Sequence, residues 1–383
     1  MKNKLLISVA ALAIMGTAHA QSTVTLYGLA DAGFVFNNNS GGSQLYSLAS
    51  GNQQGSRWGL RGREDLGGGL KTIFVLENGF SVVNGKLGQG NDEFGRQAYV
   101  GIGSDRIGTL TLGRQYDMVV DYLGRFESGT QWATGYGAHP GDLDNLDNNN
   151  RVNNALKFHS QTYAGFSAGA LYSLGGVAGD ATRNQIWSLG ADYNNGPLSL
   201  AAAYLNVRDP NYSFFGNNSS SSTTGSNMTS LVYSGYASAK TQQVIAAAGA
   251  YALGRSTFGA TYSNTQFKNI GAETGLAATG RGGSAKFHNV EANYRYQVTP
   301  ALVLGVAWDY THGYGVNDAT YQQVNLGADY FLSKRTDIYL VGLYQHASGT
   351  DSTGHAARAN LNQLTASTTS NQTAAIAGIR MKF

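Results

Sequence analysis

Apolar and polar residues alternate along most of this chain, and the alternation recurs in about sixteen separate segments. In segment 373–383, Ala375, Ile379 and Phe383 fall on one face, whereas Arg380 falls on the other. A period of two is typical of β-strands whose two faces meet different surroundings. Because a soluble sandwich rarely ends on an outward-pointing aromatic residue, we expect a closed barrel whose outer face meets lipid and whose inner face meets water.

The pattern predicts an all-β fold: a sixteen-stranded antiparallel transmembrane β-barrel, formed as one domain. Its connections alternate between short turns and long loops rich in Ser, Asn, Gly and Thr, and the long loops are expected outside the cell. An even number of strands lets the first and last pair, so no edge stays open. The predicted strands are 22–36, 54–65, 70–80, 94–104, 107–116, 151–161, 165–174, 184–194, 197–207, 241–252, 256–267, 285–297, 301–312, 320–332, 336–347 and 371–383, and the long loops are 37–53, 81–93, 117–150, 208–240, 268–284 and 348–370.

The first twenty residues have a different pattern. Lys2 and Lys4 precede a short apolar run, and Ala18 and Ala20 form a small-residue cleavage motif. The run falls short of the roughly 20 apolar residues that a membrane-spanning helix needs, so a signal peptide is favoured over an anchor. We therefore divide the chain into a signal peptide, 1–20, and a β-barrel, 21–383.

Composition narrows the class further. Charged residues are 13 % of the chain, about half the usual share of a soluble domain, and there are no cysteines. An exported chain without cysteine has no disulfide framework and no thiol chemistry. The net charge of +3 falls to +1 without Lys2 and Lys4, leaving 24 basic and 23 acidic residues, so the balance gives no basis for nucleic-acid binding.

The predicted inner face carries arginines. Arg57, Arg61 and Arg63 share one face of the second strand, opposite Trp58 and Leu60. An arginine facing lipid at the bilayer midplane costs roughly 2–4 kcal/mol. These three side chains are therefore expected to line an aqueous lumen.

Further charges are predicted to face the same lumen. Arg151 and Lys157 share the polar face of the sixth strand, and Arg96 opens the fourth. A sixteen-stranded barrel is too wide for side chains to fill, so an inward fold of the acidic loop 117–150 would narrow it. Loop acids facing wall arginines would set a transverse field, and such charges determine ion preference.

Several stretches, taken together in this order, resemble the trimeric general porins of Gram-negative outer membranes, in the style of the betaproteobacterial branch. They cover the whole of the chain after the signal peptide. The matching stretches are 22–28, 56–62, 64–70, 95–101 and 111–116, together with the terminal Phe383.

The resemblance implies a constriction site. Its basic wall looks like Arg57, Arg96 and Arg151, Glu77 looks like the wall carboxylate that pairs with them, and loop 117–150 looks like an inward-folded third loop. The loop lacks the Pro-Glu-Phe-Gly-Gly stretch of many relatives. From the loop acids we select Asp121 and Glu127 as those facing the lumen.

The resemblance also implies location and partners. We expect a homotrimer in the cell outer membrane, in contact with outer-membrane lipid and lipopolysaccharide, that passively admits ions and small hydrophilic solutes. The basic wall favours a modest anion preference. A solute-specific organic-anion channel and a surface-display or adhesin barrel remain alternatives.

No cofactor, metal site or enzymatic activity is expected. The six histidines after residue 20 lie on different strands and loops without metal-ligand spacing, although a Ser–His pair could still assemble in space. The carboxylates of 142–147 could hold Ca²⁺, but they lack the glycine and closing glutamate of an EF-hand, so a solvated acidic loop is preferred.

Overall fold

The structure, a computed structural model, describes residues 22–383, so the predicted signal peptide lies outside the described residues. Residues 22–383 form seventeen strands in one antiparallel sheet that closes on itself. The strands are β1 (Thr23–Ser40), β2 (Ser43–Ser50), β3 (Arg57–Gly67), β4 (Leu70–Gly79), β5 (Gln97–Ser104), β6 (Gly108–Gln115), β7 (Val152–Ser160), β8 (Phe166–Ser173), β9 (Ile186–Asn195), β10 (Leu198–Arg208), β11 (Thr241–Leu253), β12 (Ser256–Lys268), β13 (Ala285–Gln297), β14 (Leu302–Gly315), β15 (Thr320–Phe331), β16 (Thr336–Ser348) and β17 (Asn371–Lys382).

The seventeen strands occupy sixteen positions around the barrel, because β2 and β3 share one. One part of β1 pairs with β3, with Thr23 opposite Arg63, and the part beyond it pairs with β2, with Phe36 opposite Tyr46. The segment 51–56 joins the two shorter strands. The sixteen-stranded barrel predicted from the sequence is confirmed, but segment 37–53 was predicted wrongly as a long loop, since it contains the end of β1 and the whole of β2.

The barrel closes between β1 and β17, where Leu29 pairs with Lys382 and Asn37 with Ala374. The remaining strands begin and end within about three residues of their predicted bounds. Short turns, such as 105–107 and 196–197, gather at one end, and the long connections gather at the other. This asymmetry is the one expected of an outer-membrane barrel.

The two faces of the wall have opposite character. Outward side chains such as Leu26, Val100, Leu112 and Leu340 are large, apolar and exposed, which is the property of a lipid-facing belt. No helix in residues 22–383 is long and apolar enough to cross a membrane.

The buried core lies inside the barrel, between the wall and the segment that joins β6 to β7. That segment contains α1 (Met118–Leu123), followed by 3₁₀ turns at Gly124–Phe126, Gly135–Gly137 and Pro140–Asp142 and a π-turn at Gly129–Ala133. Two other long connections hold α2 (Pro210–Ser213) and 3₁₀ turns at Gln89–Asn91 and Ser234–Tyr236. We call residues 116–151 the constriction loop; its inward fold confirms the prediction.

Candidate functional site: the pore constriction

The constriction loop turns inward at a capped helix. The Asp117 carboxylate accepts hydrogen bonds from the backbone N–H groups of Val119 (2.7 Å) and Val120 (3.3 Å), and so caps α1. Its second oxygen accepts from Asn145 Nδ2 at 2.7 Å. One buried side chain therefore ties the first part of the loop to its last part.

An apolar patch of the inner wall receives α1. Met118 and Tyr122 are buried against Ala203 of β10 and Ala246 of β11, which are small and leave room for a helix. At Gly190 of β9 an added Cβ would lie 2.4 Å from the Tyr122 ring, so only glycine admits the helix this closely. Each large side chain buried fully here contributes about 1.5–3 kcal/mol.

Amide side chains of the wall hold the second half of the loop. Asn325 donates to the carbonyl of Gly137 at 2.8 Å and to Ser128 Oγ at 3.1 Å, and Gln323 donates to the same Gly137 carbonyl at 2.9 Å. Trp132 packs over Gly305 of β14, where an added Cβ would lie 2.3 Å from the indole. These contacts in the second half of the loop are neutral hydrogen bonds and close packing.

One fully buried charged group lies between the loop and β12–β14. The ring of His139 lies 2.8 Å from Asp144, 3.9 Å from Glu127 and 3.7 Å from Asp309 of the wall. Nearby, Glu291 accepts from the backbone N–H and the hydroxyl of Ser128, at 2.8 and 2.6 Å. Several carboxyl groups thus surround a single histidine.

The surroundings of this group shift the pKa values of its loop residues in different directions. Burial disfavours the charged ring of His139, but Asp144 and Glu127 outweigh it and raise its pKa well above the usual range. Burial also opposes ionisation of Asp144, yet its partner His139 lowers the pKa of that carboxyl. Burial raises the pKa of Glu127 well above its usual value. These pKa shifts favour a charged His139–Asp144 pair and make Glu127 harder to ionise.

The same group contains a serine, but not in a catalytic order. The Ser263 hydroxyl donates to Asp144 at 2.6 Å, and Asp144 lies between that serine and His139. In a Ser–His–Asp triad the histidine must lie between the other two, so that it can accept the serine proton. Ser263 and His139 are also buried away from the lumen. The arrangement serves to anchor the loop.

The predicted basic wall gathers on the opposite side of the lumen. Arg96 Nε lies 2.8 Å from Glu77 Oε1, and its Nη2 donates to the Tyr116 hydroxyl at 3.1 Å. Glu77 also accepts from Tyr27 at 3.0 Å and from Tyr116 at 3.2 Å. The Arg151 guanidinium lies 5.8 Å from the Tyr116 ring centre, a distance typical of cation–π contact.

A cavity of about 710 Å³ separates this wall from the constriction loop. Arg57, Arg96 and Arg151 line it together, and the loop contributes Asp147. Burial raises the pKa of Asp147 to about 7, although Arg151 opposes the shift. Three guanidiniums therefore face one paired carboxylate, Glu77, and one carboxyl that is only partly ionised at neutral pH, so the cavity is positive.

The structure corrects the placement of three predicted residues. Asp121 lies on α1 and accepts from Lys157 Nζ at 2.6 Å, with His159 Nε2 at 3.0 Å. This buried pair fastens the loop to β7, so neither charge faces the arginines. Glu127, predicted to face the lumen, is fully buried beside His139. The acid of the loop that lines the cavity is Asp147, because Asp121 and Glu127 lie on the face of the loop that packs on the wall.

Two predicted arginines lie below the constriction. Arg61 and Arg63 face inward on β3, toward the short-turn end, and both are exposed. The Arg61 guanidinium lies 5.3 Å from the Tyr27 ring centre. They extend the basic face as an approach to the cavity.

Two features of the site were not predicted from the sequence: the cation Arg125, and the connection between β10 and β11 that contacts Arg151. Arg125 lines the cavity from the loop side and pairs with Asp192 of β9 at 2.9 Å. Asn217, in the connection between β10 and β11, donates to the Arg151 carbonyl and accepts from Asn153 at 3.1 Å. Only the chain topology, which sends both segments across the barrel, could have indicated these contacts.

The acidic segment 142–147 does not form a shared ligand set. Asp142 accepts from the backbone N–H groups of Asp147 at 3.0 Å and Asn149 at 2.9 Å, while Asp144 binds His139 and Ser263. Within the described part of the chain, no group of three or more His, Cys, Asp or Glu side chains is arranged to hold a metal ion.

A closed barrel narrowed by an inward-folded loop with a charged constriction defines the porin class. Similarity to known proteins agrees with this class. The sequence model of the family described as Gram-negative porin matches residues 8–351. The chain belongs to the Gram-negative porin family, and its location is the outer membrane. The resemblance inferred from the sequence motifs is confirmed at this level.

Two curated relatives illustrate the similarity. An outer membrane porin protein of Bordetella pertussis is 34% identical over 230 residues, which cover 53% of this chain and 59% of the relative. Outer membrane porin protein 32 of Delftia acidovorans is 36% identical over 215 residues, covering 52% and 58%. The matched region therefore spans a little under three fifths of each of these relatives.

Solved structures share the fold over almost the whole chain. The anion-selective porin from Comamonas acidovorans is 22% identical with a TM-score of 0.73, covering 95% of this chain and 100% of that one. OmpT of Vibrio cholerae in its trimer form is 15% identical with a TM-score of 0.63, covering 94% and 99%. At these identities the likeness concerns the architecture alone.

Proposed function

We propose that this protein is a passive diffusion channel for ions and small hydrophilic solutes, with a modest preference for anions. The observation that carries the proposal is the lining of the cavity by Arg57, Arg96 and Arg151 with Glu77 as their one paired carboxylate. Two positive charges remain uncompensated when Asp147 is protonated. A pore lined by excess positive charge favours anions.

Each residue of the constriction has a separate part in this mechanism. Guanidiniums stay charged at all relevant pH values and have a fixed planar shape, so the arginines' contribution to the field does not vary with pH. Glu77 and Tyr116 orient Arg96 through hydrogen bonds. An anion passes from one guanidinium to another, and binding must stay weak enough for it to leave.

The proposal includes a homotrimer, no enzymatic step and a signal peptide over residues 1–20. The trimer is supported by the form named for the Vibrio cholerae neighbour. The channel assignment is supported by the porin relatives and by the buried, non-catalytic order of Ser263, Asp144 and His139. Mass spectrometry of exported protein should find Gln21 at its N-terminus.

The experiment is single-channel recording of purified protein in a planar bilayer under a KCl gradient. Stepwise conductance in multiples of three, with a reversal potential favouring chloride, is the expected result. Arg57→Ala with Arg151→Ala should lower the chloride/potassium permeability ratio about fivefold, because each charge contributes about 0.5 kcal/mol at 8 Å in water. Arg255→Ala, at a short turn, is the control and should leave the ratio unchanged.

Other outcomes contradict parts of the proposal. An unchanged ratio in the double variant would refute control by the arginines. Cation preference of the unmodified protein would assign selectivity to the loop acids. Absence of conductance from correctly folded protein would favour a surface-display barrel.

A solute-specific organic-anion channel is the second candidate. It is favoured by three guanidiniums on one cavity of about 710 Å³, since arginine binds carboxylates through two parallel hydrogen bonds. Millimolar succinate should then block the chloride current in the unmodified channel and not in the Arg57→Ala, Arg151→Ala variant. Equal currents with and without succinate would leave the general channel as the function.

A further inference from the structure

Residues 51–56, which we call the wall turn, interrupt the barrel wall between β2 and β3. The ladder with β1 stops at Ser50, opposite Ala32, and resumes at Arg57, opposite Leu29. Six residues of the wall turn therefore lie opposite only two residues of β1. An insertion of this size disrupts the ladder and cannot stay in the plane of the sheet.

The wall turn is held on the lumen side by Asp31 of β1, whose side chain is buried inside the barrel. Its Oδ2 accepts hydrogen bonds from the backbone N–H groups of Gln53 and Gln54, both at 2.8 Å. Its Oδ1 accepts from the hydroxyl of Tyr339, a buried residue of β16, at 2.6 Å. Hydrogen bonds to a carboxylate are strong, so the turn has a fixed position inside the barrel.

The wall turn contacts the middle of the constriction loop directly. The Asn52 carbonyl accepts from the backbone N–H of Gly135 at 2.9 Å, and Asn52 Oδ1 accepts from the Tyr136 hydroxyl at 3.0 Å. Gln53 Nε2 donates to the Gln131 carbonyl at 3.1 Å. No solute can pass between two segments that are hydrogen-bonded to each other, so passage is confined to the cavity beside them.

Two half-buried side chains at this point of the cavity lining have no partner among residues 22–383. Gln54 and Arg57 both line the cavity, and neither side chain makes a hydrogen bond or an ion pair within that part of the chain. Arg96, by contrast, is paired with Glu77. An added Cβ at Gly55 would lie 3.0 Å from Arg96 Nη1, so the wall turn lies directly beside the arginines.

The two side chains have complementary hydrogen-bonding chemistry. A guanidinium has donors only and binds a carboxylate through two parallel N–H groups. A primary amide has both donors and an acceptor, which is what a hydroxyl group requires of its partner. An apolar chain beside the amide would displace water from Gln54 without replacing its hydrogen bonds, and that loss is unfavourable.

We propose that Gln54 is a specificity-determining residue of the channel and favours polyhydroxylated carboxylates, the class of the sugar acids, over carboxylates with an apolar chain. Arg57 binds the carboxylate, Gln54 binds a hydroxyl group of the same solute, and Asp31 positions Gln54 by holding the wall turn. Because only a few hydrogen bonds form, the solute can leave again. The preference among organic anions rests on the proposed anion channel, which must first admit the carboxylate.

The test compares gluconate with hexanoate, which have the same number of carbon atoms and the same charge at neutral pH. Each anion is added to the full barrel in a planar bilayer, and the concentration that halves the chloride current is measured. The variants are Gln54→Met, which keeps the length of the side chain and removes its amide, and Gln54→Asn, which keeps an amide. Gln44→Met is the matched control, because Gln44 is exposed on β2 and does not line the cavity.

We expect gluconate to block the unmodified channel at a concentration about fivefold lower than hexanoate, since one net hydrogen bond contributes a factor of about two to ten. The ratio should fall to about one in Gln54→Met, remain about fivefold in Gln44→Met, and be partly retained in Gln54→Asn. Equal block of the unmodified channel by the two anions would overturn the proposal. A fivefold ratio that persists in Gln54→Met would also overturn it.

The same recordings separate the role of Gln54 from the anion channel itself. Because Gln54 is neutral, Gln54→Met should keep the chloride/potassium permeability ratio of the unmodified channel, and heat-modifiable gel mobility verifies that it is folded. A chloride-selective channel that both anions block equally would refute the role of Gln54 alone. A channel without chloride preference that neither anion blocks would refute the proposed function, and the role of Gln54 with it.

Discussion

Two regions of the inner wall form the constriction in opposite ways. On β3 and in the segments before β5 and β7, Arg57, Arg96 and Arg151 are left facing an open cavity. On β8–β11 the inner face carries small apolar residues such as Ala203 and Ala246, and the constriction loop covers it. The charged side of the wall stays exposed to water because the constriction loop packs on the other side.

The difference implies that the proposed selectivity depends also on residues that never contact a solute. The position of the loop determines which wall charges remain in water and which, like Lys157, form an ion pair with the loop itself. A change on the covered side should therefore alter the pore as much as a change among the arginines. Three substitutions test this dependence.

The largest effect is expected at the buried charge of the covered side. His139→Gln leaves Asp144 without its cationic partner, and removing one member of a buried ion pair costs about 3–5 kcal/mol. We expect the free energy of unfolding, from urea titration in detergent, to fall by that amount. Single-channel records should also become noisier, because the loop loses an anchor.

The control for this variant is His355→Gln, since His355 lies in an exposed loop and binds Thr353 through Nδ1 at 3.0 Å. It should change the free energy of unfolding by less than about 0.5 kcal/mol. Adding Asp144→Asn to His139→Gln should restore part of the loss, because it removes the uncompensated charge. Equal stability of the two histidine variants would contradict the role of the pair.

A steric change at Gly190 should have an intermediate effect. Gly190→Val places carbon atoms inside the Tyr122 ring, so α1 must move away from the wall. Overpacking of this kind costs about 1–3 kcal/mol. We expect the displaced loop to lower the single-channel conductance, as well as the thermal unfolding temperature.

Gly342→Val is the matched control, because an added Cβ at Gly342 meets nothing within 4 Å. Gly342 lies in β16 on the lipid-facing side, so the substitution adds apolar surface where it is tolerated. If both valine variants gave the same conductance as the unmodified channel, close packing at Gly190 would not position the loop.

The smallest effect is expected from pH. Because burial raises the pKa of Asp147 to about 7, this carboxyl gains a proton as pH falls from 8 to 6 and loses its negative charge. The groups around it are Arg151, Arg96, His139, Gln363 and the buried carboxyls Asp142 and Glu127, and the arginines stay charged throughout. The chloride/potassium permeability ratio should therefore rise about twofold on acidification.

Asp147→Asn should give the high ratio at both pH values, with no remaining dependence over this interval. Asp180→Asn, in an exposed loop, removes the same charge far from the cavity and should preserve the pH dependence. A pH dependence that persists in Asp147→Asn would assign the titration to another group.

The strands of the wall could be predicted from the sequence because the residue pattern that indicates them is local. The alternation of a strand residue with its neighbours indicates its face, so the residue pattern alone is enough to assign Arg57, Arg61 and Arg63 to the inner side. The short strand β2 escaped this reasoning, since its Ser- and Gln-containing pattern is surrounded by loop-like residues. Its one signal was the Gly41–Gly42 pair, both with positive φ, which forms the turn before it.

The loop could not be predicted in the same way. Nothing in segment 117–150 indicates which carboxylates pack on the wall, because that depends on pairings with wall residues such as Lys157 of β7 and Ser263 of β12. Asp121 and Asp147 are equivalent in the sequence, yet one is neutralised on β7 and the other lines the cavity. Long-range register and side-chain burial made the difference.

Some of the hydrogen bonds that anchor the loop are neutral, and this has a consequence for behaviour in salt. At about 1 M salt, charges separated by more than about 3 Å are screened, so the field of the arginines extends little into the cavity. Hydrogen bonds from Asn325 and Gln323 to the Gly137 carbonyl are buried and do not depend on ionic strength. Concentrated electrolyte should therefore convert the channel from a filter by charge into a sieve by size, with its aperture unchanged.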